Sequence, residues 1–326
     1  MADRVYVTRL IPEAGLELVR QCCDTRVWEG EVPPPREVMM REVAEVDGLL
    51  ALLTDRIDAE VMDAGKRLRV ISNYAVGYDN IDVPAATQRG IVVGNTPGVL
   101  TETTADLAFS LLMAAARRIA EGDRYTRAGK WQTWGPKLFL GYDLHHATLG
   151  LVGMGRIGSE MAKRANGFDM RVLYYDPVRR QDLEGSLGVI YVSFDTLLRE
   201  SDFISLHTPL TEQTRHLIGA PELAKMKLTA ILVNSSRGPV VDQQALYEAL
   251  RDGVIAGAGL DVFEVEPIPQ DDPLLTLDNV TVVPHVGSAS HATRDKMARM
   301  AAENLIAGLQ GKLPPNCVNP EAWQQK

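Results

Sequence analysis

The sequence predicts an α/β protein built from two doubly wound parallel-sheet domains, and three observations carry that expectation. Short apolar runs alternate with amphipathic segments, which implies a parallel sheet with helices on both faces. The alternation starts afresh near the middle of the chain, at Ala147. At 326 residues the chain is too long for one ordinary core and suits two domains.

In the first part of the chain, residues 4–8, 48–52, 68–72 and 91–93 read as buried strands. Residues 12–21, 35–45 and 58–64 read as the helices between them. Asn95-Thr96-Pro97-Gly98 is a turn, and Thr103-Thr104-Ala105-Asp106 then resembles a capping box. Leu107, Leu111 and Ala115, with Ala108 and Leu112, fall on one helix face, so a long helix is expected to cross from the first unit to the second. Further strands are expected at residues 147–152, 171–175, 203–206, 230–234, 256–260 and 280–283. Ser288-Ala289-Ser290 is another capping-type start, before Met297, Ala301 and Leu305. A helix there would carry the chain back. The expected domains are therefore residues 1–99 with 287–326, a discontinuous unit, and residues 100–286. A cleft between them is the expected ligand site.

The most telling segment is Leu149-Gly150-Leu151-Val152-Gly153-Met154-Gly155-Arg156-Ile157-Gly158. A strand runs into a glycine turn, the turn opens a helix, and Asp176 closes the next strand. Gly153 is expected to make the tight turn, Gly155 to let backbone approach a pyrophosphate, and Gly158 to let helix pack on strand. The helix N-terminus offers unpaired N–H groups and partial positive charge to that pyrophosphate. The turn from Gly153 through Met154, Gly155, Arg156 and Ile157 to Gly158 is thus the expected cofactor cradle. Asp176 is the expected ribose partner.

Bulk properties exclude several classes. A net charge of −9 opposes nucleic acid and anionic membrane as partners. The start, Met1-Ala2-Asp3-Arg4-Val5, has no charged-then-apolar signal pattern. The longest apolar stretch, residues 105–116, contains Asp106 and Ser110 and is too short to span a bilayer. Cys22, Cys23 and Cys317 suggest neither a disulfide framework nor metal-ligand spacing. Inert thiols in a reducing cytoplasm are expected, with no metal.

In open α/β sheets, ligands bind beyond the carboxyl ends of the strands. Those ends in the second unit carry His207-Thr208-Pro209, then Asn234-Ser235-Ser236-Arg237-Gly238, then Asp261 with Glu264 and Glu266 after it, then Pro284-His285-Val286-Gly287-Ser288. An arginine, carboxylates and a histidine thus meet along one edge, where a nicotinamide would lie. Reducing a 2-oxo acid needs such a set. Histidine suits the proton role because it titrates near neutrality. A carboxylate beside it favours imidazolium and fixes the tautomer. Arginine, permanently charged and fork-shaped, suits a planar α-keto carboxylate.

The glycine turn, Asn234-Ser235-Ser236-Arg237-Gly238, residues 257–267 and Pro284-His285-Val286-Gly287-Ser288 resemble the D-isomer-specific 2-hydroxyacid dehydrogenases. Residues 72–82, 95–101 and 139–143 look specifically like glyoxylate/hydroxypyruvate reductases. The resemblance covers nearly the whole chain. It implies a Rossmann-type cofactor domain and a flavodoxin-like substrate domain. It implies Arg237 as substrate-binding and polarising cation, His285 as acid/base and Glu266, rather than Glu264, as its partner. It places Asp261 near the nicotinamide amide and Thr104 beside the cofactor, with Ser235, Ser236, Gly287 and the His207-Thr208-Pro209 turn around it. It sets the Val76 and Gly77 N–H groups on the substrate carboxylate, with Leu53 and Tyr74 as pocket walls.

The expected cofactor is NAD(H) rather than NADP(H), because relatives that use NADP(H) tend to have a small polar residue where this chain has Asp176; Arg179 and Arg180 lie close by. Residues 122–144 contain Trp131, Trp134, Leu138, Phe139, Leu140 and Tyr142, much apolar surface for a loop. With the resemblance, that predicts a symmetric homodimer. Leu138 departs from the aromatic residue often found there in this subgroup. Competing expectations are a phosphoglycerate or phosphite dehydrogenase and a non-enzymatic NAD-sensing corepressor. Apolar Val76 stands where phosphite dehydrogenases have a basic residue. Net acidity and the lack of a recruitment segment count against the corepressor.

Overall fold

A computed structural model describes residues 2–325. The chain forms two units: one is built from the stretch up to Leu100 and the stretch from Ser288 onward, the other is Thr101–Gly287. The first unit has five parallel strands, β1 (Arg4–Val7), β2 (Asp24–Val27), β3 (Gly48–Ala51), β4 (Val70–Asn73) and β5 (Val92–Gly94), in the order β2-β1-β3-β4-β5. This is the flavodoxin-like order. Side chains on a strand alternate between its two faces, and the sequence uses that period to build two cores. Val5, Val7, Leu50, Val70 and Val92 face one way, under helices Glu13–Cys22 and His291–Leu309. Tyr6, Leu49, Ala51, Ile71 and Val93 face the other, under helices Arg36–Val43, Ala59–Ala64 and Val83–Gln88.

Two of these helices pack very closely. A Cβ on Gly15 would lie 2.3 Å from the Ala298 carbonyl carbon, so only glycine allows that approach. The helix His291–Leu309 starts where the sequence signals, with Ser290 Oγ accepting from the Thr293 N–H at 3.3 Å. It buries Met297, Ala298, Ala301 and Leu305. Truncating one buried leucine such as Leu305 to alanine typically costs about 2–5 kcal/mol.

The second unit has seven parallel strands: β6 (Thr148–Val152), β7 (Arg171–Tyr175), β8 (Ile190–Tyr191), β9 (Phe203–Leu206), β10 (Ile231–Asn234), β11 (Gly257–Leu260) and β12 (Val280–Val282). Their order is β12-β11-β10-β9-β6-β7-β8. Chain order reverses between β6 and β9, and that switch point is where doubly wound sheets bind ligands.

Several local expectations are corrected. Strands β2 and β8 have no counterpart in the expected set; both are edge strands, β2 alternates exposed and half-buried residues, and β8 has two residues. Helix Val83–Gln88 is too short to show periodicity. The long helix runs Thr101–Ala116, so Thr103–Asp106 lies inside it and not at its cap, and the whole helix belongs to the second unit. Residues 122–144 are not all loop, because helix Ile119–Arg127 occupies their first part. Among the described residues no helix is long and apolar enough to cross a membrane.

Candidate active site

The glycine turn follows β6. Gly153 has φ +95°, a conformation that side chains resist, and a Cβ there would lie 2.6 Å from the His207 carbonyl oxygen. A Cβ on Gly158 would come within 2.2 Å of the Gly153 carbonyl oxygen, so the helix Arg156–Asn166 sits directly on the turn. Gly155 differs, since a Cβ there would meet nothing within 4 Å. Its outer side is open, as the approach of a pyrophosphate requires. Met154, Arg156 and Ile157 complete the turn and first helical residues.

Asp176 directly follows β7 and braces the turn. Its Oδ2 accepts the Met154 N–H at 2.8 Å and its Oδ1 accepts the Val178 N–H at 2.9 Å. Each carboxylate oxygen has two lone-pair sites, so both keep capacity for a ligand hydroxyl. The two arginines nearby are already paired. Arg179 forms a two-pronged bridge to Glu184, 2.8 Å for each bond. Arg180 grips Asp182 at 2.9 and 2.7 Å and donates to the Met154 carbonyl at 3.1 Å.

Beyond β9, His207 Nε2 lies 3.0 Å from Ser205 Oγ. Part of the residue is accessible, but burial around the ring pushes its pKa down to about 4, so the imidazole is neutral near pH 7. The adjoining Thr208 Oγ1 and, beyond β10, Ser235 Oγ are buried without a hydrogen-bond partner. Buried hydroxyls normally find a partner, so two orphans at neighbouring strand ends fit a polar ligand there. With the open glycine turn, they show that these residues suit a dinucleotide. Pro209 is exposed at the same edge.

Asn234 organises the loop that follows β10. Its Oδ1 accepts from the Ser236 N–H at 3.0 Å and hydroxyl at 2.8 Å, and its Nδ2 donates to the Arg237 carbonyl at 2.9 Å. This Asx-turn presents Arg237, whose guanidinium donates to the Ser236 carbonyl at 2.8 Å. The motif that contains Asn234 assigns it no role of its own. The signal for one is an Asn two residues before a serine at a strand end.

The acidic loop after β11 then divides its labour. Asp261, 1% exposed, accepts the N–H groups of Val286 at 2.6 Å and Gly287 at 2.8 Å. Burial pushes its pKa up to about 6, against the pull of those two donors and of His285. Thr104 is buried beside Gly287, 3.4 Å from where a Cβ on that glycine would stand. Glu264 turns away, pairing with His216 and donating its N–H to Gln243 Oε1 at 3.0 Å. Glu266 faces His285, its Oε2 2.6 Å from Nδ1, while its Oε1 accepts the Phe263 N–H at 3.0 Å. Burial acts to raise the Glu266 pKa, but the His285 bond and charge, the Phe263 N–H and the Arg237 charge together hold it below the usual range.

His285 itself has φ +52°, a left-handed conformation rare for a side chain of this size. Such a conformation persists only where neighbours over-determine it. Here the His285 N–H is fixed on the Asp261 carbonyl at 2.9 Å. With Nδ1 held by Glu266, Nε2 is the ring nitrogen left to exchange a proton. Glu266 and His285 are therefore directly paired, with the Arg237 charge acting on Glu266, while Asp261 and Gly287 are joined by a hydrogen bond with Thr104 beside them.

Leu53, Tyr74, Val76 and Gly77 lie in the other unit. Leu53, Val76 and Gly77 are half-buried. Tyr74 is 4% exposed and its hydroxyl donates to the Arg294 carbonyl at 2.8 Å, so it is a core side chain whose polar end is already used. Burial pushes that phenol up to about 12.

Comparison with known proteins agrees with this geometry. The family model for the NAD binding domain of D-isomer specific 2-hydroxyacid dehydrogenases matches residues 109–287. A glyoxylate reductase of Korarchaeum cryptofilum is 62% identical over 322 residues, 98% of this chain and 97% of that protein. The crystal structure of the TT0316 protein from Thermus thermophilus superposes with a TM-score of 0.91 at 49% identity, covering 97% of this chain and 99% of that one. The NADPH-dependent glyoxylate/hydroxypyruvate reductase of Sinorhizobium meliloti, solved with NADP and malonate, has a TM-score of 0.84 at 33% identity, covering 99% of this chain and 98% of that one.

Proposed function

The chain belongs to the D-isomer-specific 2-hydroxyacid dehydrogenases, and from that premise we propose that it reduces glyoxylate and hydroxypyruvate to glycolate and D-glycerate with NADH. The observation that carries this reading is the His285–Glu266 pair, with the Arg237 charge acting on the same carboxylate. The dinucleotide, when bound, supplies the hydride. The glycine turn, Asp176, Thr208, Ser235, Ser236, Asp261 and Thr104 would hold it. Arg237 binds the substrate carboxylate and polarises the carbonyl. His285 Nε2 gives the proton to the carbonyl oxygen. Glu266 fixes the tautomer and stabilises the imidazolium before that transfer. The Val76 and Gly77 N–H groups take the carboxylate, with Leu53 beside them. Steady oxidation of NADH on adding glyoxylate is the test. Binding of NADH without turnover of any 2-oxo acid would favour a sensing role instead.

The cofactor preference rests on Asp176. A carboxylate bonded to ribose hydroxyls loses a bond and faces a dianion when one hydroxyl carries phosphate. Arg179 and Arg180 could offset this, but Glu184 and Asp182 already occupy them. NADH is therefore expected to outperform NADPH by at least ~10-fold in kcat/KM, about 1.4 kcal/mol. Asp176→Ser should narrow that ratio mainly by weakening NADH use, since the turn also loses its brace on Met154. Equal efficiency of the wild-type protein with both cofactors would refute the assignment.

The same reading includes a symmetric homodimer. Trp131 is 60% exposed, Trp134 77% and Leu140 65%. Such a cluster marks an interaction surface, and a second copy of the chain is the occupant we infer. Sedimentation at micromolar concentration should show a dimer that Trp134→Asp weakens; a wild-type monomer would end the idea. The free thiols of Cys22, Cys23 and Cys317 support a reducing, cytoplasmic setting.

A further inference from the structure

The backbone at Ala75–Tyr78 is held from behind. The Ala75 carbonyl accepts the Thr96 N–H at 2.9 Å. The Val76 carbonyl accepts Asn95 Nδ2 at 2.7 Å, and the Gly77 carbonyl accepts Asn73 Nδ2 at 2.8 Å. A trans peptide is rigid and planar, with its N–H opposite its C=O. Fixing three successive carbonyls therefore aims the N–H groups of Val76, Gly77 and Tyr78 away from their holders. None of these three N–H groups donates to a group among the described residues. Val76 and Gly77 are half-buried and Tyr78 is exposed. Successive free N–H groups in a turn form an anion-binding concavity.

The holders are themselves immobilised. Asn95 is 9% exposed, its N–H bonds the Asn316 carbonyl at 3.2 Å, and its carbonyl accepts Asn304 Nδ2 at 2.8 Å. Asn304, fully buried on helix His291–Leu309, accepts the Asn316 N–H at 3.0 Å with its Oδ1. Asn73, also fully buried, touches Asn80 Oδ1 at 3.1 Å, and Asn80 Nδ2 bonds the carbonyls of Leu52 and Asp55, both at 3.0 Å. The amides thus tie the Val76–Gly77 loop to the loop carrying Leu53.

We propose that Asn95 is a positioning residue for the substrate carboxylate: its amide, anchored by Asn304, holds the Val76 carbonyl and so aims the Gly77 N–H at the anion, with Asn73 acting likewise one peptide further on. The proposal rests on the reading above in taking the substrate to be a small carboxylate held at the Gly77 N–H. Asn95→Ala frees one peptide to rotate without removing any group that touches substrate or cofactor. A hydrogen bond to a charged group that loses its aim should raise KM for glyoxylate about tenfold, with kcat changed less.

The experiment measures three quantities on wild type, Asn95→Ala and Asn73→Ser. They are KM and kcat for glyoxylate, Kd for oxalate by calorimetry in the presence of NADH, and Kd for NADH by fluorescence. The expected result is a parallel rise in glyoxylate KM and oxalate Kd with NADH affinity within twofold of wild type. A general loss of structure would weaken NADH binding and lower kcat as well; if Asn95→Ala does so, Asn73→Ser decides alone. Unchanged KM and oxalate Kd in a folded variant overturn the proposal. A wild-type protein that ignores glyoxylate yet binds oxalate less well after Asn95→Ala would overturn the proposed reaction while leaving the positioning role standing.

Discussion

His285→Ala should lower kcat for glyoxylate reduction by ~10²–10⁴-fold, the range for loss of a positioned general acid. Nδ1 is occupied by Glu266 at 2.6 Å, so Nε2 is the face offered to substrate. Glu266 is held below the usual carboxylate range, so an anionic oxygen faces the ring at Nδ1. NADH affinity should change little, because the glycine turn and Asp176 are untouched. Glu266→Gln removes the charge while keeping a bond to the ring. That variant should also lower kcat, because no anion then faces the ring as it carries the proton. Near wild-type kcat in His285→Ala would remove the histidine from proton transfer, and near wild-type kcat in Glu266→Gln would remove its partner.

Gly238→Ala should be nearly as damaging, through packing rather than chemistry. A Cβ at that position would lie 1.8 Å from the Phe263 carbonyl oxygen, 1.9 Å from its carbon and 2.5 Å from the Glu264 nitrogen. All three are backbone atoms, which cannot swing aside as a side chain could. Overpacking of this kind costs typically 1–3 kcal/mol, and the upper end, about 3 kcal/mol, applies here. At about 2–4 °C per kcal/mol for a unit of this size, Tm should fall by roughly 6–12 °C. The strain also lands on chemistry. Gly238 follows Arg237, and the Phe263 N–H holds Glu266. Displacing both by about 1 Å can cost ~10²-fold in rate. Gly155→Ala is the contrast, since its Cβ meets nothing within 4 Å: Tm should hold while NADH binding weakens. A Gly238→Ala protein with wild-type Tm and rate would show that the loop yields easily.

What was legible in the sequence depended on how local the physical cause is. Gly153, Gly155 and Gly158 could be given separate jobs because turn, approach and packing are set by spacing alone. The strand-end position of Arg237 and His285 followed from counting strands. Glu264 and Glu266 were separated only by family likeness, since two carboxylates two residues apart present the same chemistry until the loop's path sends one to His216 and the other to His285. The asparagines were silent for a different reason. Asn95 and Asn304 are 209 residues apart, and a side-chain amide has no periodicity to betray its partner. Edge strand β2 escaped because Asp24-Thr25-Arg26-Val27 buries too little to read as a strand.

The two-part construction of the first unit sets a timetable for synthesis. Leu16, Val19, Leu50 and Val70 are covered by Met297, Ala298, Ala301 and Leu305. As the chain leaves the ribosome, that apolar face emerges early and its cover emerges last, after all of Thr101–Gly287 has been made. At about 5–20 residues per second the interval is roughly 10–40 s. The second unit has everything it needs to close during that wait, whereas the first is left with one sheet face covered by helix Glu13–Cys22 alone, its remainder open to chaperones or other nascent chains. A ribosome stalled before Ser288 would hold a finished cofactor-type sheet beside an unfinished one. The birth order of the units is thus the reverse of their order along the chain.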